Sequence, residues 1–356
     1  MKINKIVAYI KHIPLKKAYT IAYNTYQHVD IVFVQIELEN GMIGYGTSSP
    51  SADVVGETSE QSLTNLQSDF IQQFVHRDIR NFKQIIFETQ HHFINMPGTI
   101  AAIDIALHDA FGKYIGISIA QFYGQKMNGL PTSITIGIKN IAAAIKEAAE
   151  YVQLGFKIFK IKMGTNVEED IERIKKLYEI YGNSIKLRVD ANQGYSIAQL
   201  KYFMDATKNV PIELIEQPLK VGNEFELSQI NLEDRKYIAG DESIKNAQNA
   251  LTFAGQHLYG IYNIKLMKCG GIIGAYNIAH IAQLANIQLF WGCNDESMIS
   301  IMAALQIAYS CTNTQYLDLD GSFDLAEDIV LTGFELKNGC LFINNLPGLG
   351  LKINNF

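Results

Sequence analysis

Ile185-Lys186-Leu187-Arg188-Val189-Asp190, a helical stretch over residues 197–207 and Ile212-Glu213-Leu214-Ile215-Glu216 make one strand–helix–strand unit. A short apolar run reads as a buried strand, and the amphipathic stretch after it reads as the crossover that a parallel neighbour requires. The pattern continues outward in both directions. Strands are expected at 133–138, 156–162, 185–190, 212–216, 237–241, 261–265, 288–292 and 315–319, with helical stretches at 141–154, 167–181, 197–207 and 272–285 between them. Eight such strands close most economically as a barrel. The expected fold class is therefore α/β, a modified (β/α)7β TIM-like barrel over residues 126–328.

Residues 1–125 read differently. Alternation at 31–38 runs into the turn signal Glu39-Asn40-Gly41, which predicts an antiparallel hairpin, and helical periodicity follows at 57–74 and 100–114. The tail, 329–356, returns to short strands and the turn cluster Pro347-Gly348-Leu349-Gly350. It is expected to rejoin the N-terminal region in an α+β capping domain.

With 356 residues, 48% of them hydrophobic and 19% charged, the chain can bury the core of a barrel and a smaller domain. A net charge of −6 without a basic stripe argues against nucleic acid as a partner. The apolar run at 301–308 is too short to span a bilayer, and residues 1–19 lack the apolar core of a signal peptide, so a cytoplasmic protein is expected. Cys269, Cys293, Cys311 and Cys340 form no Cys-x-x-Cys pair and the eight His are scattered, so the cysteines read as buried thiols.

In a barrel of this kind, side chains at the C-terminal strand ends face the open mouth. Strands three, four and five end in Asp190, Glu216 and Asp241, spaced by 26 and 25 residues, about one βα unit each. A lone strand-end acid is commonly just solvated. Three in register repel one another, and a hard divalent cation with oxygen ligands relieves that repulsion, Mg²⁺ before Mn²⁺, one per subunit. Lys160 and Lys162 close strand two, and Lys265 follows strand five's acid by 24 residues, at the end of strand six. The spacing of two turns Lys160 and Lys162 inward together, while Phe159 and Ile161 face the helices. Burial, a second ammonium and a cation should lower a lysine pKa and free an amine to act as base. Lys157 and Lys268, in contrast, read as solvated or snorkelling amines. A carbon acid beside a carboxylate, a Lewis acid and two opposed amines amount to an apparatus for inverting a stereocentre, an arrangement already described in general terms for enolase-type sites.

These residues resemble the enolase superfamily, and within it the muconate lactonizing enzyme subgroup, over essentially the whole chain. The resemblance is carried in order by Lys160-Ile161-Lys162, Leu187-Arg188-Val189-Asp190-Ala191-Asn192-Gln193-Gly194, Ile215-Glu216-Gln217-Pro218, Asp241-Glu242-Ser243 and Asn263-Ile264-Lys265-Leu266-Met267-Lys268-Cys269-Gly270-Gly271. Strand seven ends in Trp291-Gly292-Cys293-Asn294-Asp295-Glu296-Ser297, without the base histidine of the mandelate racemase subgroup. The resemblance implies Asp190, Glu216 and Asp241 as metal ligands, Lys162 and Lys265 as the acid/base pair, Lys160 as an electrostatic helper, and Asn192, Glu242 and Glu296 as supports behind them.

Leu317-Asp318-Leu319-Asp320-Gly321 resembles the Asp-x-Asp of the dipeptide epimerases, which implies that Asp318 and Asp320 hold the α-ammonium of a dipeptide, with Thr135 lining the pocket. Two departures concern the cover. Asn24 stands where members acting on L-Ala-L-Glu carry an Arg, and Thr47 stands where a Glu is usual. Tyr19, Tyr23 and Tyr26 remain available to cover the substrate, and Lys16 or Lys17 to replace the Arg, while Asp295 in the pocket would disfavour an anionic side chain. The expectation is thus an Mg-dependent epimerase of L-Ala-L-Xaa dipeptides, broad at Xaa, with L-Ala-L-Glu possible, acting as a homo-oligomer with no partner but its small-molecule substrate. The rivals are an o-succinylbenzoate synthase, a muconate cycloisomerase and a metal-binding barrel without catalysis.

Overall fold

The computed structural model describes residues 1–20 and 25–354. Three antiparallel strands, Ile3–Thr20, Thr25–Leu38 and Ile43–Ser48, form the first sheet, and the expected hairpin joins the second to the third. Its turn is set by Asn40, whose Oδ1 accepts from Met42 N, and by Gly41 at φ +81°. The middle strand serves two cores. Val32, Val34 and Ile36 pack with the capping helices, while Ile31 and Phe33 join the core that continues into the barrel.

The long helix Pro97–Ile115 starts three residues before the expected 100–114, because Pro97 supplies a first-turn residue that needs no N–H partner. It lies directly on the strand Ile43–Ser48. The approach is so close that a Cβ on Gly46 would meet Ala102 O at 2.0 Å, and one on Gly44 would meet Ala106 O at 2.3 Å. The single helix expected over 57–74 is two, Ser59–Leu66 and Asp69–Gln72. A capping box between Thr58 and Gln61 starts the first, and Ser68 starts the second.

Eight parallel strands in chain order follow: Ile134–Ile136, Ile158–Lys162, Lys186–Asp190, Ile212–Glu216, Ile238–Gly240, Ile261–Ile264, Gln288–Trp291 and Thr314–Leu317. Ser133 N donates to Leu317 O at 2.9 Å and Thr132 bridges to Leu317, which brings the last strand round to the first. Strand one and strands five to eight stop short of the expected ends. The residues beyond them leave the ladder for other partners; Asp241 N, for example, donates to the Gln217 side chain. Helices Ile141–Gln153, Val167–Tyr181, Ile197–Ala206, Ala247–Ala254, Gly271–Leu284 and Met298–Ala308 fill six crossovers, and the fourth holds only the short turns Glu224–Gln229 and Leu232–Arg235.

Inside the barrel Leu214, Ala239, Ile261 and Phe290 surround a buried guanidinium, that of Arg188, which sits over the Phe290 and Tyr316 rings and pairs with Glu213. Past the eighth strand the tail makes the pairs Val330–Thr332 with Lys352–Ile353 and Glu335–Lys337 with Cys340–Phe342. Leu349 N then reaches Asp109 on the long capping helix. Among the described residues no helix is long and apolar enough to cross a membrane.

Candidate active site

Strand pairing brings the predicted acids and lysines to one end of the barrel. In the ladder Lys162 lies beside Asp190, and Asp190 beside Glu216, while Thr135 lies beside Lys160. The turns after Asp190 and Glu216 use left-handed backbone at Asn192, Gln193 and Gln217, with φ of +40°, +66° and +34°. Such strain at the mouth of a barrel marks residues held for a purpose other than stability. Gln217 repays part of it by accepting from Asp241 N and Ser243 N, which locks strand five's exit onto strand four's.

Asp190, Glu216 and Asp241 are all buried, and each faces ammonium groups. Lys160 Nζ lies 2.8 Å from Glu216 Oε2, 3.2 Å from Asp190 Oδ2 and 2.7 Å from Asp318 Oδ2. Lys162 Nζ lies 2.7 Å from Asp190 Oδ2, and Lys265 Nζ 2.9 Å from Asp241 Oδ2. Strands two and six are four apart in a ring of eight, so Lys162 and Lys265 approach the mouth from opposite sides.

Burial alone would lower Lys160 and Lys265, but the surrounding carboxylates outweigh it and hold both ammoniums above the usual lysine range. The acids divide. Burial pushes Glu216 up to about 8, with Asp190 adding to the effect. Burial would raise Asp190 and Asp241 as well, yet Lys162 and Lys160 on the first, and Lys265 and Lys268 on the second, hold both below the usual carboxylate range. Glu242 and Glu296 are pushed up to about 7, chiefly by burial.

The donor set suits a hard divalent cation. Its oxygens come from three neighbouring strands; Glu242 Oε2 and Asn192 Oδ1 are buried without a hydrogen bond, and Glu216 Oε2 meets only the Lys160 ammonium. Among the described residues no three acidic or imidazole groups yet converge as a coordination shell, since each of the three acids leans onto an ammonium.

Lys268 is a correction. Read as a solvated amine, it is buried: its Nζ donates to the Asp241 carboxylate and, at 3.0 Å, to Asn263 O, and burial lowers its pKa. One helical turn after Lys265 puts it on the same side, a spacing visible in the sequence. Asn263, two residues before Lys265, was likewise legible from strand period; its Nδ2 donates to Glu216 Oε1 at 2.6 Å. Asn192 N donates to Asp190 Oδ1, whereas Glu296 accepts from Asn294 N and braces its own loop.

The mouth opens into a cavity of about 480 Å³. Asp318 borders it but is engaged by Lys160 and by Ser133 Oγ, while Asp320 accepts from Thr135 N and is pushed up to about 7 by burial and by Asp318. The outer wall carries Asp53, Glu147, Asp295 and Asp324, which sequence reasoning largely missed because they come from different elements. Asn24 and Tyr23 lie outside the described residues, and Tyr19 pairs with Tyr26 across the strands. Lys16 Nζ donates to Phe323 O and Lys17 Nζ to Glu150, so both amines already have partners on the protein. Thr47 is fully buried, paired with Phe33 on the face of the sheet turned away from the capping helix.

Comparison with known proteins gives the same frame. Residues 5–124 match the mandelate racemase / muconate lactonizing enzyme N-terminal domain, and residues 143–356 match the enolase C-terminal domain-like family. The chain is 44% identical, over 99% of both chains, to an L-Lys-D/L-Arg epimerase of Desulforapulum autotrophicum. It is 36% identical to a hydrophobic dipeptide epimerase of Enterococcus faecalis, over 99% of this chain and 100% of the other. A dipeptide epimerase of Methylococcus capsulatus solved with Mg and L-Arg-D-Lys superposes with a TM-score of 0.97 at 40% identity, covering 99% of each chain. The chain belongs to the mandelate racemase and muconate lactonizing enzyme family of the enolase superfamily.

Proposed function

We propose that the protein is a magnesium-dependent dipeptide epimerase that inverts the α-carbon of the C-terminal residue and prefers dipeptides with cationic side chains. The observation that carries the preference is the acidic outer wall, Asp53, Glu147, Asp295 and Asp324, beyond Asp320. Of the two lysines on that wall, Lys139 offsets Glu147 and Lys17 is drawn to Glu150, so acid still outnumbers base there. A guanidinium or ammonium side chain gains charge-assisted contacts there, whereas a glutamate side chain or the dianionic substrate of an o-succinylbenzoate synthase meets like charge. The relatives named for Lys and Arg dipeptides support the same choice over L-Ala-L-Glu.

Asp190, Glu216 and Asp241 would hold the cation. Bound there, it supplies a Lewis acid for the charge that develops on the substrate carboxylate, and it competes with the lysines for the charge of the three acids. Lys162 on one side and Lys265 on the other then exchange roles: one takes the α-proton, the other delivers a proton to the opposite face. Lys160, between Glu216 and Asp318, keeps its charge and steadies the carboxylate end. Asp320 is the acid best placed for the α-ammonium, because Asp318 is already engaged by Lys160.

The test is a dipeptide panel incubated with Mg²⁺ in D₂O, with α-deuterium uptake and inversion read by NMR. L-Lys-L-Arg should exceed L-Ala-L-Glu in kcat/KM by about tenfold or more, the effect of ~1.4 kcal/mol. Equal or better turnover of L-Ala-L-Glu would overturn the cationic preference, and deuterium uptake by no dipeptide would overturn the activity.

A further inference from the structure

Behind Lys162, away from the cavity, lies a second buried carboxylate that the chemistry above does not use. Asp170, in the first turn of the helix Val167–Tyr181, is fully buried. Its Oδ2 accepts from Gly164 N at 2.9 Å and from the Tyr195 hydroxyl at 2.8 Å, and its Oδ1 accepts from Arg173 at 3.0 Å. Gly164 lies in the turn that leaves strand two just after Lys162, and Tyr195 lies in the turn that leaves strand three after Asp190. One carboxylate thus staples the exits of the two strands that carry Lys162 and Asp190.

The staple closes a contact that has no slack. Gly164 stands at φ +103°, and a Cβ there would lie 2.1 Å from Ala191 O; a Cβ on Gly194 would lie 2.2 Å from Gly164 O. The two turns pack backbone on backbone. Met163 N donates to Asp190 O at 2.8 Å, and the same Arg173 nitrogen that holds Asp170 reaches Lys162 O at 3.4 Å. Burying a carboxylate and a guanidinium costs desolvation that an apolar contact of equal volume would avoid, so the pair makes sense where position matters more than stability.

We propose that Asp170 is a positioning residue for the proton transfer at Lys162: it fixes that amine against Asp190 and leaves Lys265, across the barrel, untouched. The proposal rests on the two-lysine reading. Its signature is one-sided. A displaced Lys162 fails with the diastereomer whose α-proton it removes, whereas the other diastereomer, served by Lys265, still exchanges that proton with solvent.

The test measures α-proton exchange in D₂O, separately for L-Lys-L-Arg and L-Lys-D-Arg with Mg²⁺, in the wild type, Lys162→Ala, Lys265→Ala, Asp170→Asn and Tyr195→Phe. Lys162→Ala and Lys265→Ala should each lose epimerisation and each keep exchange of a different diastereomer; any other pattern in these two overturns the two-lysine reading itself. Given that pattern, Asp170→Asn should lose about tenfold or more of the exchange that Lys162→Ala loses, and less than about twofold of the other. Tyr195→Phe, which removes only one arm of the staple, should shift the ratio in the same direction, and it decides the matter where Asp170→Asn melts below the assay temperature. Equal losses for both diastereomers, or no loss, would overturn the positioning role.

Discussion

Asp324 stands on the cavity wall with Asp295 and Glu147 as acidic neighbours and Lys16 and Lys17 opposite, and burial first, then Asp295, pushes its carboxyl up to about 7. Asp320, deeper in, is pushed to the same value. Both therefore change charge near neutrality, and both must be ionised to hold a cation. For L-Lys-L-Arg, KM should fall as pH rises from about 6 to 8, because the carboxylates are charged only above their raised pKa. Asp324→Asn should raise KM for L-Lys-L-Arg by about tenfold at pH 8, leave L-Ala-L-Ala within about twofold, and reduce the pH dependence to the part that Asp320 contributes. Steady-state kinetics across pH would count against this reading if the variant kept the full wild-type slope.

At this scale the sequence was most readable where the chain is a strand. Period two and one βα unit of spacing were enough to place Lys160, Lys162, Asp190, Glu216 and Asp241 on a shared mouth, because a strand end has only one way to point. Lys268 escaped because it follows the strand, in the four-residue helix Leu266–Cys269, where direction depends on helical rather than strand spacing. Asp324 and Glu147 escaped because no local pattern announces that residues from distant segments share a wall.

Among the elements, the contact between the strand Ile43–Ser48 and the helix Pro97–Ile115 shows what glycine at alternate positions means. Gly44 and Gly46 face the helix backbone itself, and the partners are Ala102, Ala106 and Ala110, so no flexible side chain can give way. Gly46→Ala should destabilise the protein by about 1–3 kcal/mol or more, with a Tm several degrees lower, because the helix must move off the sheet. Gly255→Ala, where nothing stands within 4 Å of the added methyl, is the control and should leave Tm nearly unchanged. A melt in which the two variants behave alike would refute the close-packing argument. The helix itself was legible from its small and large apolar residues; its start at Pro97 and the break between Leu66 and Asp69 were not, since both depend on backbone partners that hydrophobic period does not encode.

Over the whole molecule, charge at the mouth and stability of the fold are coupled through pH. Glu216 is pushed up to about 8, and Glu242, Glu296, Asp320 and Asp324 to about 7, above the value near 4 that these groups take in an unfolded chain. A carboxyl whose folded pKa is raised contributes stability that is complete below the unfolded value and is lost as pH rises through the folded one. Asp190 and Asp241 act in the opposite sense, but only in acid, below the unfolded value. In EDTA, Tm should therefore fall by several degrees between about pH 5 and pH 8 as these groups are forced to ionise. Magnesium binds the ionised acids, so its stabilisation should grow over the same range, reaching about 2.7 kcal/mol at a concentration a hundredfold above its Kd. Calorimetry with and without Mg²⁺ at both ends of that range checks both halves. A Tm in EDTA that rises with pH, or a magnesium shift as large in acid as in mild base, would mean that ionising the buried acids does not destabilise the mouth.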